Sequence, residues 1–148
     1  MGEKVKLGLS LFWRAFVVQV LFAFLIAIAL HSTPLFSEFT YVKWKPTVMF
    51  GMYAAIFIVW RALTSNGPLH MLWGKRLQQS TKFWRAFTLG FAGVCGALAL
   101  LNLVVAYFAT TEFWVSFKTL APIPLELLFC LVGAPYFATE SQKQLSPA

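Results

Sequence analysis

Phe12-Trp13-Arg14-Ala15-Phe16 recurs letter for letter as Phe83-Trp84-Arg85-Ala86-Phe87, and each copy opens a long apolar run. A five-residue match containing both Trp and Arg, in a chain of 148 residues, points to two tandem copies of one helical hairpin. The pair also suits a membrane surface, where Trp rests in the headgroup layer and Arg reaches toward water. A third Trp-Arg-Ala, Trp60-Arg61-Ala62, closes the second apolar run. Trp13, Arg14, Trp60, Arg61, Trp84 and Arg85 are therefore the expected interface anchors, all at one surface.

Composition agrees with that setting. Hydrophobic residues make up 59% of the chain and charged residues 11%, with sixteen Phe. Soluble domains carry about 25% charged residues, so this chain has too little polar surface to cover itself in water. Four stretches approach the roughly 20 residues needed to cross the bilayer: Leu9–Leu30, Thr47–Leu63, Phe83–Phe108 and Phe117–Phe137. The expected fold is an all-α membrane protein of four transmembrane helices, arranged as two tandem parallel-repeat hairpins. The first hairpin covers about residues 8–64, an interfacial connection 65–82, the second hairpin 83–138 and a short tail 139–148. Each repeat crosses twice, so both enter from the same side, unlike the inverted repeats of secondary transporters. Lys4 and Lys6 before the first run imitate a signal peptide. That run is too long for such a segment, and its second copy is internal, so the first helix is expected to be retained.

Charge gives the orientation. Lys4, Lys6, Arg14, Arg61, Lys75, Arg76, Lys82, Arg85 and Lys143 fall on one side, against Lys43, Lys45 and Lys118 on the other. The positive-inside rule places both termini and the middle connection in the cytoplasm, in a bacterial inner membrane. The net charge of +7 then forms a collar facing anionic headgroups. Nucleic acid is not an expected partner, since the basic residues are scattered at helix ends rather than gathered on one face.

Local signals set the expected boundaries. His31-Ser32-Thr33-Pro34 ends the first helix, and Pro46 suits the first turn of the second. The outer loops are expected at Ser32–Lys45 and Ala109–Ser116. In the connection, Leu69, Leu72, Trp73 and Leu77 fall at helical spacing, which predicts a short amphipathic helix on the inner leaflet. Pro122 and Pro124 place the start of the fourth regular helix.

The third helix carries Gly90, Gly93, Gly96 and Ala97 in overlapping small-xxx-small pairs. Helices in lipid associate through close backbone approach, so this face is expected to be the tightest packing contact or a partner interface. Glu126 is the one acid inside an apolar segment, and an intramembrane acid is a functional candidate by default. The blander reading makes it a first-turn anchor near the outer interface, favoured by the helix dipole. Gln19 and Asn102 are the amides available as inter-helix partners.

Other chemistry finds little support. His31 and His70 fall on opposite sides and cannot share a haem. His31, Glu38 and Glu112 form a weak outer-side metal grouping without ligand spacing. Cys95 and Cys130 read as small apolar residues. There is no Asp, phosphate loop or Ser/His/acid set, so neither an enzyme nor a resident cofactor or metal is expected. The leading expectation is a non-enzymatic accessory or scaffold subunit that binds another membrane protein or itself. The alternatives are a small transporter or channel component using Glu126, and a membrane-bound immunity protein.

Overall fold

The computed structural model describes residues 2–31, 38–64 and 67–143. Six helices follow in order: α1 (Glu3–His31), α2 (Glu38–Thr64), α3 (Pro68–Leu77), α4 (Thr81–Phe108), α5 (Thr111–Leu120) and α6 (Pro122–Lys143). Four candidate membrane spans run through Glu3–Ile28, Val42–Thr64, Thr81–Phe108 and Thr111–Gln142. The protein is an all-helical membrane protein. Its outer faces display Phe24, Ile58, Leu100, Val104, Phe108 and Leu128 to the surroundings, which lipid tolerates and water does not.

α4 is the centre. α2 and α6 both lie along it, α1 lies along α6, and α1 and α2 have few contacts with each other. The reason is the face that α4 presents. Phe83, Phe87 and Phe91 recur every four residues and stack in sequence at 5.8 and 6.1 Å. Phe57 of α2 closes on Phe91 at 5.2 Å, and Phe129 of α6 closes on Phe87 at 5.5 Å. Ser80 caps α4 by accepting from the Phe83 N–H at 3.2 Å, and Thr110 caps α5 through the Phe113 N–H at 3.3 Å.

Several boundaries differ from expectation. α2 begins at Glu38 rather than at Pro46, which lies inside the helix. Pro46 lacks an N–H and so frees one carbonyl of the preceding turn, and Asn102 of α4 reaches this turn through the Lys43 carbonyl (3.5 Å) and Thr47 Oγ1 (2.7 Å). The stretch expected as the second outer loop is mostly helix: the α4–α5 turn is confined to Ala109 and Thr110, and α5 follows. α6 starts at Pro122 as expected and runs on to Lys143, through Pro135.

α3 is the short helix that the connection suggests, but its faces are divided. Leu69 is buried beneath the bundle with Trp73 and Leu77 against the core, while Leu72, Met71, Lys75 and Arg76 are exposed. Gly67 enters α3 at φ 86°, and any Cβ there would meet the Thr88 side chain, so glycine serves both the backbone turn and the close approach.

Candidate functional site

Two buried polar clusters interrupt the apolar interior. In the first, Gln19 Nε2 donates to Glu126 Oε1 at 2.9 Å and lies 3.7 Å from Cys95 Sγ. Gln19 and Glu126 are 6% and 4% exposed. The expected role of Glu126 as an outer-interface anchor is therefore corrected. Glu126 lies just past the first turn of α6, as a start at Pro122 implies, but its side chain turns into the bundle to Gln19 instead of out to an interface, and α5 carries the candidate span a further ten residues upstream. With no water at that depth, the carboxyl depends on a protein partner, and Gln19 on the neighbouring helix supplies it. Tyr53 of α2 lines the same place. Cys95 and Cys130, both buried and free, complete the surroundings.

Asn102 does not join this cluster. It is 1% exposed and forms a second one, donating to Thr47 Oγ1 on α2 and accepting from Trp114 Nε1 on α5 at 3.2 Å. One amide thus joins three helices. Sequence reasoning missed Thr47, Tyr53 and Trp114. The available signal was Trp114, whose indole N–H inside an apolar segment requires an acceptor.

The repeated anchors are not equivalent. Trp13 is 63% exposed, whereas Trp84 is 0% exposed and packs edge-on against His70 at 5.6 Å. Arg85 is exposed, while Arg14 is half-buried, hydrogen-bonded to Ser10 Oγ at 2.6 Å, with its guanidinium 5.8 Å from the Trp73 ring. Trp84 thus faces the bundle interior and not the surroundings, unlike Trp13. α1 lies at the edge of the bundle and turns Leu11 and Ala15 inward; α4 is enclosed on several sides and turns Phe83, Trp84 and Phe87 inward. The same five residues are rotated to different faces. Trp60 and Arg61, at the end of α2, are half-buried. Trp60 Nε1, Arg61 Nε and Trp84 Nε1 are buried donors without a hydrogen-bond partner.

Of the two uses expected for the small-residue face, the tightest contact within the bundle is corrected. Gly90 makes room for the Phe129 ring, but a Cβ on Gly93 or Gly96 would meet nothing within 4 Å, and Ala97 is exposed. The tightest backbone approach lies at Gly8 of α1, where a Cβ would come within 2.7 Å of the Cys130 carbonyl oxygen and 2.9 Å of Leu131 Cα. Among the described residues, no three His, Cys, Asp or Glu side chains gather as a metal site. The side chains of His31 and Glu38, from the outer-side grouping, lie outside the described residues.

Long apolar helices joined by short connections and by buried amide and carboxyl pairs define a polytopic helical membrane protein. The family model described as intracellular septation protein A matches residues 9–144, and the chain belongs to that family. Its relatives include the inner membrane-spanning protein YciB of Actinobacillus pleuropneumoniae serotype 3 (strain JL03), 32% identical over 104 residues, 70% of this chain and 57% of the relative. The protein of the same name from Acidovorax ebreus (strain TPSY) is 30% identical over 126 residues, 85% of this chain and 64% of that one. That from Delftia acidovorans (strain DSM 14801 / SPH-1) is 28% identical over 136 residues, 92% of this chain and 65% of that one. The chain thus spans 57% to 65% of the length of these relatives. No solved structure matches. The relatives are named for spanning the inner membrane and the family for septation, and neither name denotes an accessory subunit or a catalytic activity. That naming overturns the expected accessory or scaffold subunit, and it lends nothing to the transporter or immunity alternatives.

Proposed function

We propose that this chain is a non-enzymatic integral inner-membrane protein that serves septation. The observation that carries this reading is the family match, which runs from residue 9 to residue 144 and so reaches all four spans. Both termini and α3 face the cytoplasm, a placement supported by the nine-to-three division of Lys and Arg. Lys75, Arg76, Lys82 and Arg85, all exposed at that end, rest against anionic headgroups. The buried Gln19–Glu126 and Asn102 clusters fix how the helices pair, which gives the bundle a defined shape in a solvent that otherwise discriminates little between apolar faces.

Depletion of the chain in its own host, with septa counted by membrane-dye microscopy, tests the proposal. Elongated cells with widely spaced or incomplete septa are expected, with normal septa restored by re-expression. Unaltered septum spacing after full depletion would overturn it. For the orientation, Cys placed at Glu112 should react with a membrane-impermeant maleimide added outside intact spheroplasts, and Cys placed at Gln142 should not; the reverse pattern inverts the topology.

A further inference from the structure

A crevice of about 180 Å³ opens beside the Gln19–Glu126 pair, between α1, α2 and α6. Phe16 and Val20 form one wall, Phe50 and Tyr53 another, and Pro122 and Ile123 a third. We propose that this crevice binds an uncharged lipophile, seating a small oxygen-bearing head (a carbonyl or a hydroxyl) against Gln19 and Glu126.

Four observations on the site carry the assignment. The first is depth. Cys95 sits at the middle of the candidate span Thr81–Phe108, and Gln19 and Glu126 meet beside it, so a ligand reaches the site through hydrocarbon rather than through water. The way in is lateral, because α1 and α2 have few contacts with each other. The second is size. The crevice, about 180 Å³ and open toward lipid, accepts one ring or a short branched group between its three walls. The third is charge. No Lys or Arg lines the crevice, so an anionic head has no counter-charge there. A cationic head would have to be stripped of water to reach mid-bilayer, a step that membranes penalise heavily.

The fourth is chemistry. Gln19, Tyr53 and Glu126 come from three different helices and converge on one apolar hollow, the arrangement of a small-molecule site with a few orienting polar groups. Beyond the bond that Gln19 and Glu126 make to each other, an amide, a phenol and a carboxyl lining one hollow retain further donor and acceptor capacity. An oxygen-bearing head gains those hydrogen bonds; a plain alkyl chain gains none. This site is independent of the septation reading, and either stands without the other.

Thermal unfolding of the purified full chain in detergent micelles tests the proposal with three probes. Decylubiquinone presents carbonyls, 1,2-dioctanoylglycerol presents a hydroxyl, and dodecane presents no oxygen. At least one oxygen-bearing probe should raise the unfolding midpoint saturably by about 3–6 °C, as mass action on the folded state requires. Whichever of the two does so identifies carbonyl or hydroxyl as the recognised group, and dodecane should leave the midpoint unchanged. Val20→Phe and Ile123→Phe narrow the crevice from α1 and from α6 at positions exposed to lipid. Each should weaken probe binding at least tenfold, and the variant whose probe-free midpoint stays within about 2 °C of the parent is the one read. No rise with either oxygen-bearing probe would overturn the proposal. So would an equal rise with dodecane, or undiminished binding in both narrowed variants.

Discussion

Gln19 Nε2 meets Glu126 Oε1 at 2.9 Å, joining α1 to α6 across 107 positions of the chain. Both side chains are almost wholly buried, and neither has bulk water to fall back on. The pair therefore works as a register mark: sliding or rotating either helix separates two polar groups that hydrocarbon cannot satisfy. Apolar faces alone set no such mark, since lipid competes equally for them.

Removing both partners should cost less than the two single removals added together. Gln19→Leu strands a buried carboxyl and Glu126→Leu strands a buried amide, each at about 1–3 kcal/mol. The double variant should recover part of that loss, with a coupling energy of about 0.6 kcal/mol and an upper end of about 1.7 kcal/mol. Reversible unfolding in mixed micelles across the four proteins measures it. Strict additivity would show that the bond contributes nothing to the fold.

Gly8 and Gly93 should respond in opposite ways to the same change. A Cβ on Gly8 collides with backbone atoms of Cys130 and Leu131, which have no rotamer by which to withdraw. Gly8→Ala is expected to destabilise by about 1–3 kcal/mol through overpacking. Gly93→Ala faces open space and should stay within about 0.5 kcal/mol of the parent, or gain slightly from helix propensity. Midpoints of thermal unfolding in one detergent decide it, and an unaffected Gly8→Ala protein would refute the close approach.

Asn102 should prove the most sensitive amide. Asn102→Leu removes the acceptor of Trp114 Nε1 and the donor to Thr47 Oγ1 together. Two lost partners across three helices should cost about 2 kcal/mol or more by the usual penalty for orphaned buried groups. Asn102→Asp keeps the acceptor and loses the donor, so Trp114 should retain its native near-ultraviolet dichroism in that variant alone. Loss of the signal in both, or in neither, would mean that this bond does not hold α5.

The four spans were legible because apolar content is a local property that needs no knowledge of neighbours. Which face each span turns inward was not. Gly90, Gly93, Gly96 and Ala97 have the spacing of a close contact, but spacing says where backbones are able to approach, not which side of α4 is covered. The Phe83–Phe87–Phe91 ladder on another side of α4 took the interior, being far richer in buried surface. Gly8 carried no pattern at all; its role exists only because α6 crosses there. Glu126 was noticed and α6 does start at Pro122, but a helix start does not say which way the carboxyl turns. The convergence of Gln19, Tyr53 and Glu126 from three helices is a tertiary fact, and no window of sequence contains it.

The duplicated pentapeptide supplies the last test, because one Trp of the pair is outside and the other inside. Trp84 is enclosed by Phe83 and His70, with ring centroids at 5.3 and 5.6 Å. Trp84→Ala should open a cavity worth about 3–5 kcal/mol. Trp13 stacks only on its own helix, with Phe16 at 6.0 Å, and is largely exposed. Trp13→Ala should therefore cost under about 1 kcal/mol, within the range of surface substitutions away from special features. Variants keeping a single Trp, with the others replaced by Phe, permit a direct reading in vesicles of brominated lipid. Bromine quenches an indole on contact, so emission from Trp13 should be strongly quenched and emission from Trp84 largely spared. Equal quenching of the two would restore the symmetric anchors that the repeated sequence suggests, and would place Trp84 on the lipid-facing side of α4.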